Sequence, residues 1–169
     1  MAIRNIREYG DPILEKKCKE VTEVTDKIRI LIEDMFDTMY DADGVGLAAP
    51  QVGILKKIAV VDITEEHTQP IVMINPEVIE QDGEQRGLEG CLSVPDKVGI
   101  VTRPSHVKVK ALDADMKEVI YEGEGLLARA LVHEIDHLSG QVYVSKAENG
   151  KLYNSDEVKE VMEREGLKD

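Results

Sequence analysis

Residues 125–139 are the stretch that most limits how this 169-residue chain can fold. Leu126, Leu127, Ala130, Leu131, Val132, Ile135 and Leu138 leave a helix from Gly125 to Ser139 apolar on most sides, so it is expected to lie in the core. Gly140 is its expected stop. Yet the same stretch carries His133-Glu134-Ile135-Asp136-His137. Histidines and carboxylates inside an apolar core are costly unless something compensates their charge. Whatever fold the chain adopts must enclose this helix and bring it a partner. Residues i and i+4 share a face, so two imidazoles there can bind one metal ion. Glu134 is then within reach of an attacking water as a general base. Two histidines satisfied by core neighbours would match the same pattern, but the accompanying carboxylates weigh against that.

The remaining pattern surrounds this helix with short strands. Thr25 to Asp41 reads as a helix, with Thr25 as N-cap and Ile28, Leu31, Ile32, Met35 and Met39 on one stripe. Ile58 to Ile63 and Ile71 to Ile74 are short apolar strands, the second expected to end at Asn75-Pro76. Val107, Val109 and Ala111 alternate with lysines and pair with Glu118 to Glu122 as a hairpin. Asn154 to Glu165 reads as a last helix, with Glu157 placed for a capping box and Gly166 as its stop. Helices and strands with little β-α-β alternation predict an α+β fold. Its central metal-binding helix is expected among mostly antiparallel strands, with N-terminal and C-terminal helices outside. No repeat or Pro/Gly/Ser linker divides the chain, so residues 1–169 are expected to form a single catalytic domain.

A metal needs at least one more ligand. A zinc-protease pattern would place a histidine at 143, where this chain has Tyr143. Two candidates remain. One is Glu148, downstream; the other is Cys91, in Glu89-Gly90-Cys91-Leu92-Ser93-Val94-Pro95. Flanking Gly and Pro constrain that segment enough to present a thiolate. The other cysteine, Cys18, sits among charged neighbours and is expected to be an ordinary thiol. A third segment, Gly44-Val45-Gly46-Leu47-Ala48-Ala49-Pro50-Gln51, has the small residues that let a backbone approach another chain closely. It lacks a phosphate-binding lysine and is not a P-loop.

Together the three segments resemble the peptide deformylase family. Its pattern runs Gly-x-Gly-x-Ala-Ala-x-Gln, then Glu-Gly-Cys-x-Ser, then His-Glu-x-x-His with Asp before the second His, and all three are intact here in that order. The resemblance extends from about Ile3 to Leu152 and is highly specific in combination. It implies an α+β fold and a metal-dependent hydrolase that removes the N-formyl group from the formylmethionine of newly made polypeptides, releasing formate. Cys91, His133 and His137 would then be the metal ligands. Glu134 would be general base and acid, with Gln51 and the backbone N–H of Leu92 stabilising the oxyanion. One cysteine and two histidines fit zinc by ligand type. The resemblance favours Fe(II) in the cell, with Zn(II), Ni(II) or Co(II) able to take its place. Helix spacing puts Arg129/Ala130 and Leu126 one and two turns before His133. Leu126 and Ala130, with Val45 opposite, are expected to form an apolar slot for methionine. The substrate backbone is expected to pair with Val45, Gly46, Leu47 and Gly90 as an added strand.

Charge restricts the partners. The chain carries 21 Lys+Arg against 34 Asp+Glu, a net of −13, and no basic run longer than a pair. Direct nucleic-acid binding is therefore not expected. Neither a secretory h-region nor an apolar stretch of spanning length is visible, so a bacterial cytoplasmic location without membrane contact is expected. Residues 151–169 hold Lys151, Lys159, Arg164 and Lys168 against six acids, a net of −2. Some family members dock on the ribosome through a basic C-terminal helix. An acidic tail argues against this, so no more than a transient ribosome contact is expected, and the helix is expected to be solvated and packed on the domain by Val158, Val161 and Met162. Finally, Asp43 and Arg103 are expected to form an ion pair joining the Gly44 and Cys91 loops, and Asp136 to make a structural contact away from the ligands.

Overall fold

The computed structural model describes residues 2–168; Met1 and Asp169, the ends of the expected domain, lie outside the described residues. In chain order the elements are α1 (Asp26–Asp41), β1 (Gly46–Ala48), β2 (Ile58–Val61), β3 (Ile71–Asp82), β4 (Gln85–Cys91), β5 (Val94–Arg103), β6 (His106–Leu112), β7 (Glu118–Glu124), α2 (Gly125–Leu138), β8 (Leu152–Asn154) and α3 (Val158–Glu165), with short 3-10 turns between. Two antiparallel sheets result, β1-β2-β3-β6-β7 and β4-β5-β8. The fold is α+β.

The five-stranded sheet explains why β2 reads as an unbroken apolar run. Ala59 and Val61 point to one face and pack with Ala128, Ala130 and Leu131 of α2. Ile58 and Val60 point to the other and pack with Ile28, Leu31, Met35 and Met39 of α1. A strand covered on both faces has no polar side to alternate. Farther along the sheet only the α2 face is covered, so Val107, Val109 and Ala111 of β6 face α2 while Lys108 and Lys110 pair with Glu80 and Glu118 outside. The metal-motif helix thus lies in the core, as its composition demands.

Both long helices have their expected bounds to within a residue. The Thr25 hydroxyl accepts from Ile28 N at 3.3 Å, and Gly140 follows α2 with φ +79°. A Cβ at Gly140 would sit 2.5 Å from the carbonyl of Glu15, so no other residue fits this turn. The last helix is shorter than expected: a 3-10 turn covers Ser155–Glu157 before α3 begins, and Glu157 accepts from the backbone of Asn154.

One boundary is corrected. β3 does not stop at Asn75-Pro76 but continues to Asp82. A register shift absorbs the interruption, Asn75 adopts φ +51°, and its side chain clips both N and O of Val21 at 2.9 Å. Proline is tolerated in a strand at such a bulge.

Candidate metal centre and active site

Cys91 ends β4 and is presented by a tight hairpin, pairing with Val94 across a two-residue turn of Leu92 and Ser93. A register shift between Glu89 and Cys91, at Gly90, re-aims the strand there. The hairpin brings the thiol against α2, where His133 and His137 lie one turn apart with ring centroids 5.0 Å from each other. One ligand atom from each of Cys91, His133 and His137 lies within 4.8 Å of the others. The Cys91 Sγ is 3.4 Å from His137 Nε2.

The donor set fits a divalent ion. Burial would push the His133 pKa down, but Glu134, Cys91 and Glu89 outweigh it and hold the imidazole well above its usual value. Burial, then the charge of His133, pushes His137 down to about 3. A divalent cation would take one ligand atom from each of the three and satisfy the buried thiol and imidazoles together. His133 is also oriented for it: Nδ1 meets Glu89 Oε2 at 2.6 Å, leaving Nε2 for the triad. Tyr143, at the position a zinc protease would give to histidine, packs its ring 6.1 Å from that of His133.

Glu134 is buried beside His133, with Oε2 3.8 Å from His133 Nε2 and Oε1 without a hydrogen-bond partner among the described residues. Burial pushes its pKa up to about 7, which suits a group that must both take and return a proton near neutrality. Gln51 is buried behind Cys91. Its Oε1 accepts from Ala48 N at 2.9 Å, and its Nε2 donates to Ser93 Oγ at 3.0 Å and, more weakly, to Cys91 Sγ at 3.5 Å.

A cavity of about 490 Å³ opens in front of the triad. Val45, Gly46, Gly90, Leu126 and Ala130 line it, as do Leu92, Cys91, His133 and Glu134. Gln51 and His137 are not on its walls. Gly46 is a packing requirement as well: a Cβ there would collide with the Glu134 carboxylate. β1 is the edge of one sheet and β4 the edge of the other, and both border the cavity. An extended peptide could add to either.

Two expectations are overturned. Arg103 does not reach Asp43. It is buried and binds Glu89 through Nε at 2.9 Å and Nη2 at 2.5 Å, and Asp136 through Nη1 at 2.6 Å. Asp43 instead lines the cavity mouth with φ +56°. Glu148 is not a ligand candidate, because Arg86 holds both its oxygens at 2.5 and 2.9 Å. Asp136 makes the structural contact expected of it, with Arg103 and with Lys146 at 3.0 Å. Cys18 is buried, which pushes its thiol up to about 11.

Sequence reasoning missed Glu89 and Arg129. Glu89 accepts from Arg103, from Arg129 Nη1 at 2.9 Å and from His133, and Arg103 and His133 outweigh its burial to hold the carboxyl well below the usual range. Arg129 and His133 stand four residues apart on one face of a buried helix. That pattern called for a buried anion opposite, which is the signal that could have found Glu89.

A buried His-Glu-x-x-His helix, a cysteine delivered by a neighbouring hairpin and a cavity with strand edges at its rim define a mononuclear metallohydrolase. Comparison with known proteins gives the family. The sequence profile of polypeptide deformylase matches residues 3–152, and the chain belongs to that family. A peptide deformylase of Agathobacter rectalis is 64% identical over 154 residues, 91% of this chain and 95% of the relative. One of Lachnoclostridium phytofermentans is 63% identical over 153 residues, 90% and 93% of the two chains. The crystal structure of a peptide deformylase from Legionella pneumophila superposes with a TM-score of 0.85 at 40% identity, covering 99% of this chain and all of that one.

Proposed function

We propose that the chain removes the N-formyl group from formylmethionyl ends of new polypeptides, with Cys91, His133 and His137 holding one divalent ion. The observation that carries this is the convergence of those three ligand atoms beside a cavity whose walls include Cys91, His133 and Glu134. When bound, the ion polarises the formyl oxygen and lowers the pKa of the attacking water. The chain does the rest. Val45, Leu126 and Ala130 take the methionine side chain, and the edges at Gly46 and Gly90 align the peptide backbone. Glu134 accepts a proton as water adds to the formyl carbon. It returns that proton to the leaving amine as the C–N bond breaks, and formate departs. The backbone N–H of Leu92, on the cavity wall, and Gln51, buried behind Cys91, are the donors for the developing oxyanion. The long Gln51 contact to Cys91 is the one that can turn to it, and such a donor is worth about 3 kcal/mol in the transition state.

Thiolate plus two imidazoles suits Fe(II), Zn(II), Ni(II) or Co(II), and we assign Fe(II) as the ion used in the cell, with encounter by diffusion in the cytoplasm. The test is formate release from a formyl-Met peptide under anaerobic conditions with Fe(II), Ni(II) and Zn(II) in turn. Release is expected with at least one metal, and silence with all of them overturns the reading. Glu134→Ala is expected to keep the metal and lose about 10²–10⁴-fold in turnover. Cys91→Ser is expected to lose both metal and turnover.

A further inference from the structure

Arg129 is the one charged side chain of α2 that reaches both the cavity and the support of a metal ligand. It lines the cavity beside Leu126 and Ala130, yet is only 7% exposed. Its guanidinium is tied in three places: Nη1 donates to Glu89 Oε1 at 2.9 Å and to Val101 O at 3.0 Å, and Nη2 donates to Gln85 O at 3.3 Å. Space for it is left by Gly87, where a Cβ would stand 3.2 Å from Nη2. With its head fixed, the methylene stem cannot swing, so it behaves as wall rather than as a mobile surface chain.

The same guanidinium shares one carboxylate with a metal ligand. Glu89 Oε1 receives Arg129 and Arg103; Oε2 receives Arg103 and His133 Nδ1. Donors on both oxygens from two arginines prevent the carboxylate from rotating, and the imidazole inherits that orientation. Charge points the same way. Glu89 and Asp136 share Arg103, and Arg129 is the second guanidinium on Glu89, so removing Arg129 leaves Glu89 with one arginine that it must share with Asp136, directly behind His133.

Building on the deformylase reading, we propose that Arg129 is a two-ended positioning residue: its stem forms the wall against which the substrate's first side chain packs, and its guanidinium, through Glu89, holds the His133 imidazole in place for the metal. The cavity and the metal centre are thereby joined by one side chain.

Three variants separate the two ends. Arg129→Met keeps the stem and loses the head. Arg129→Lys keeps the stem and the charge. Arg129→Ala loses everything. Two readouts are taken on each: the ratio of kcat/KM for formyl-Met-Ala over formyl-Ala-Ala, and zinc affinity by competition with a chelator. Arg129→Ala is expected to lower the ratio by about tenfold or more, Lys to keep it near wild type, and Met, whose stem is no longer anchored, to fall between them. Zinc affinity is expected to fall about tenfold in Met and Ala, with Lys recovering most of it. A purely structural role would move both readouts together with thermal stability, in the order of packing lost. An unchanged ratio in Ala, or unchanged zinc affinity in Met, overturns the proposal. If the wild type releases no formate, the deformylase reading fails. The ratio is then read from equilibrium binding of the same two peptides, and the zinc series still decides the role of Arg129.

Discussion

Gly46 shows how tightly single positions are held at this site. Its backbone belongs to β1 and also forms the floor on which the Glu134 carboxylate rests. Gly46→Ala would put a methyl group into that carboxylate, and only Glu134 can yield, because the β1 backbone is fixed by its pairing with Val61. The carboxylate we propose as general base would be displaced while the three candidate ligand atoms stay where they are. We expect at least a tenfold loss in kcat/KM, on the order of 1.4 kcal/mol of transition-state stabilisation, with metal content unchanged. Metal analysis beside steady-state kinetics checks it; retained turnover would mean that Glu134 needs no such support. The glycine was legible in the sequence as a place of close approach, although what approaches it was not.

At the level of elements, legibility followed periodicity. α1 and α2 could be read because each has a helical pattern with a clear start or stop: Thr25 before one, Gly140 after the other. The β6–β7 hairpin could be read because one face is wet. β4 and β5 could not. Gly87, Gly90, Pro95 and Gly99 interrupt any alternation, and Glu89 and Arg103 are inward-pointing charges that look like surface residues until their partners are known. Those partners come from elements 14 to 44 residues away, beyond any local pattern. The three candidate ligands could be read because two share a helix and the third lies in a short, constrained motif. Their supporting charges were not.

The attachment of the N-terminal segment to α1 is another case that only the fold reveals. Asp34 is buried, accepts from Ala2 N at 2.8 Å and pairs with Arg4 Nε at 3.0 Å, while Arg4 N donates to Thr38 Oγ1 at 2.9 Å. Burial alone would raise the Asp34 pKa, but the Ala2 N–H and the Arg4 guanidinium outweigh it and hold the carboxyl below its usual value. A depressed acid contributes stability above its unfolded pKa and loses it as the pH falls through the folded one. Asp34→Asn keeps an acceptor for Ala2 but not the charge for Arg4. It is expected to cost about 1–2 kcal/mol at pH 7. The gap to wild type should persist down to about pH 4 and close below it. Urea unfolding across that range measures it; a gap independent of pH would show that the charge contributes nothing.

For the whole molecule, the net charge of −13 is the property that bears on how substrate is met. The cavity mouth adds Asp43 and Asp96 to that field, and its single lysine, Lys97, is engaged by Asn154. α3 offers no basic face: Lys159 and Arg164 stand among Glu160, Glu163 and Glu165, and Arg164 pairs with Glu165. Ribosomal RNA is a polyanion, so approach to a chain leaving the ribosome is opposed by long-range repulsion, and salt weakens that repulsion over a Debye length of about 10 Å. A protein that docked through phosphate contacts would lose affinity steeply with salt. This chain should show the reverse. Between about 50 and about 200 mM salt, kcat/KM on ribosome-bound formylated chains is expected to stay level or rise. A free, uncharged formyl-Met peptide should show no trend, which separates the approach from the chemistry. Co-sedimentation with ribosomes that is tight at low salt and lost at high salt, together with falling turnover on nascent chains, would establish a docking surface that this charge distribution does not provide.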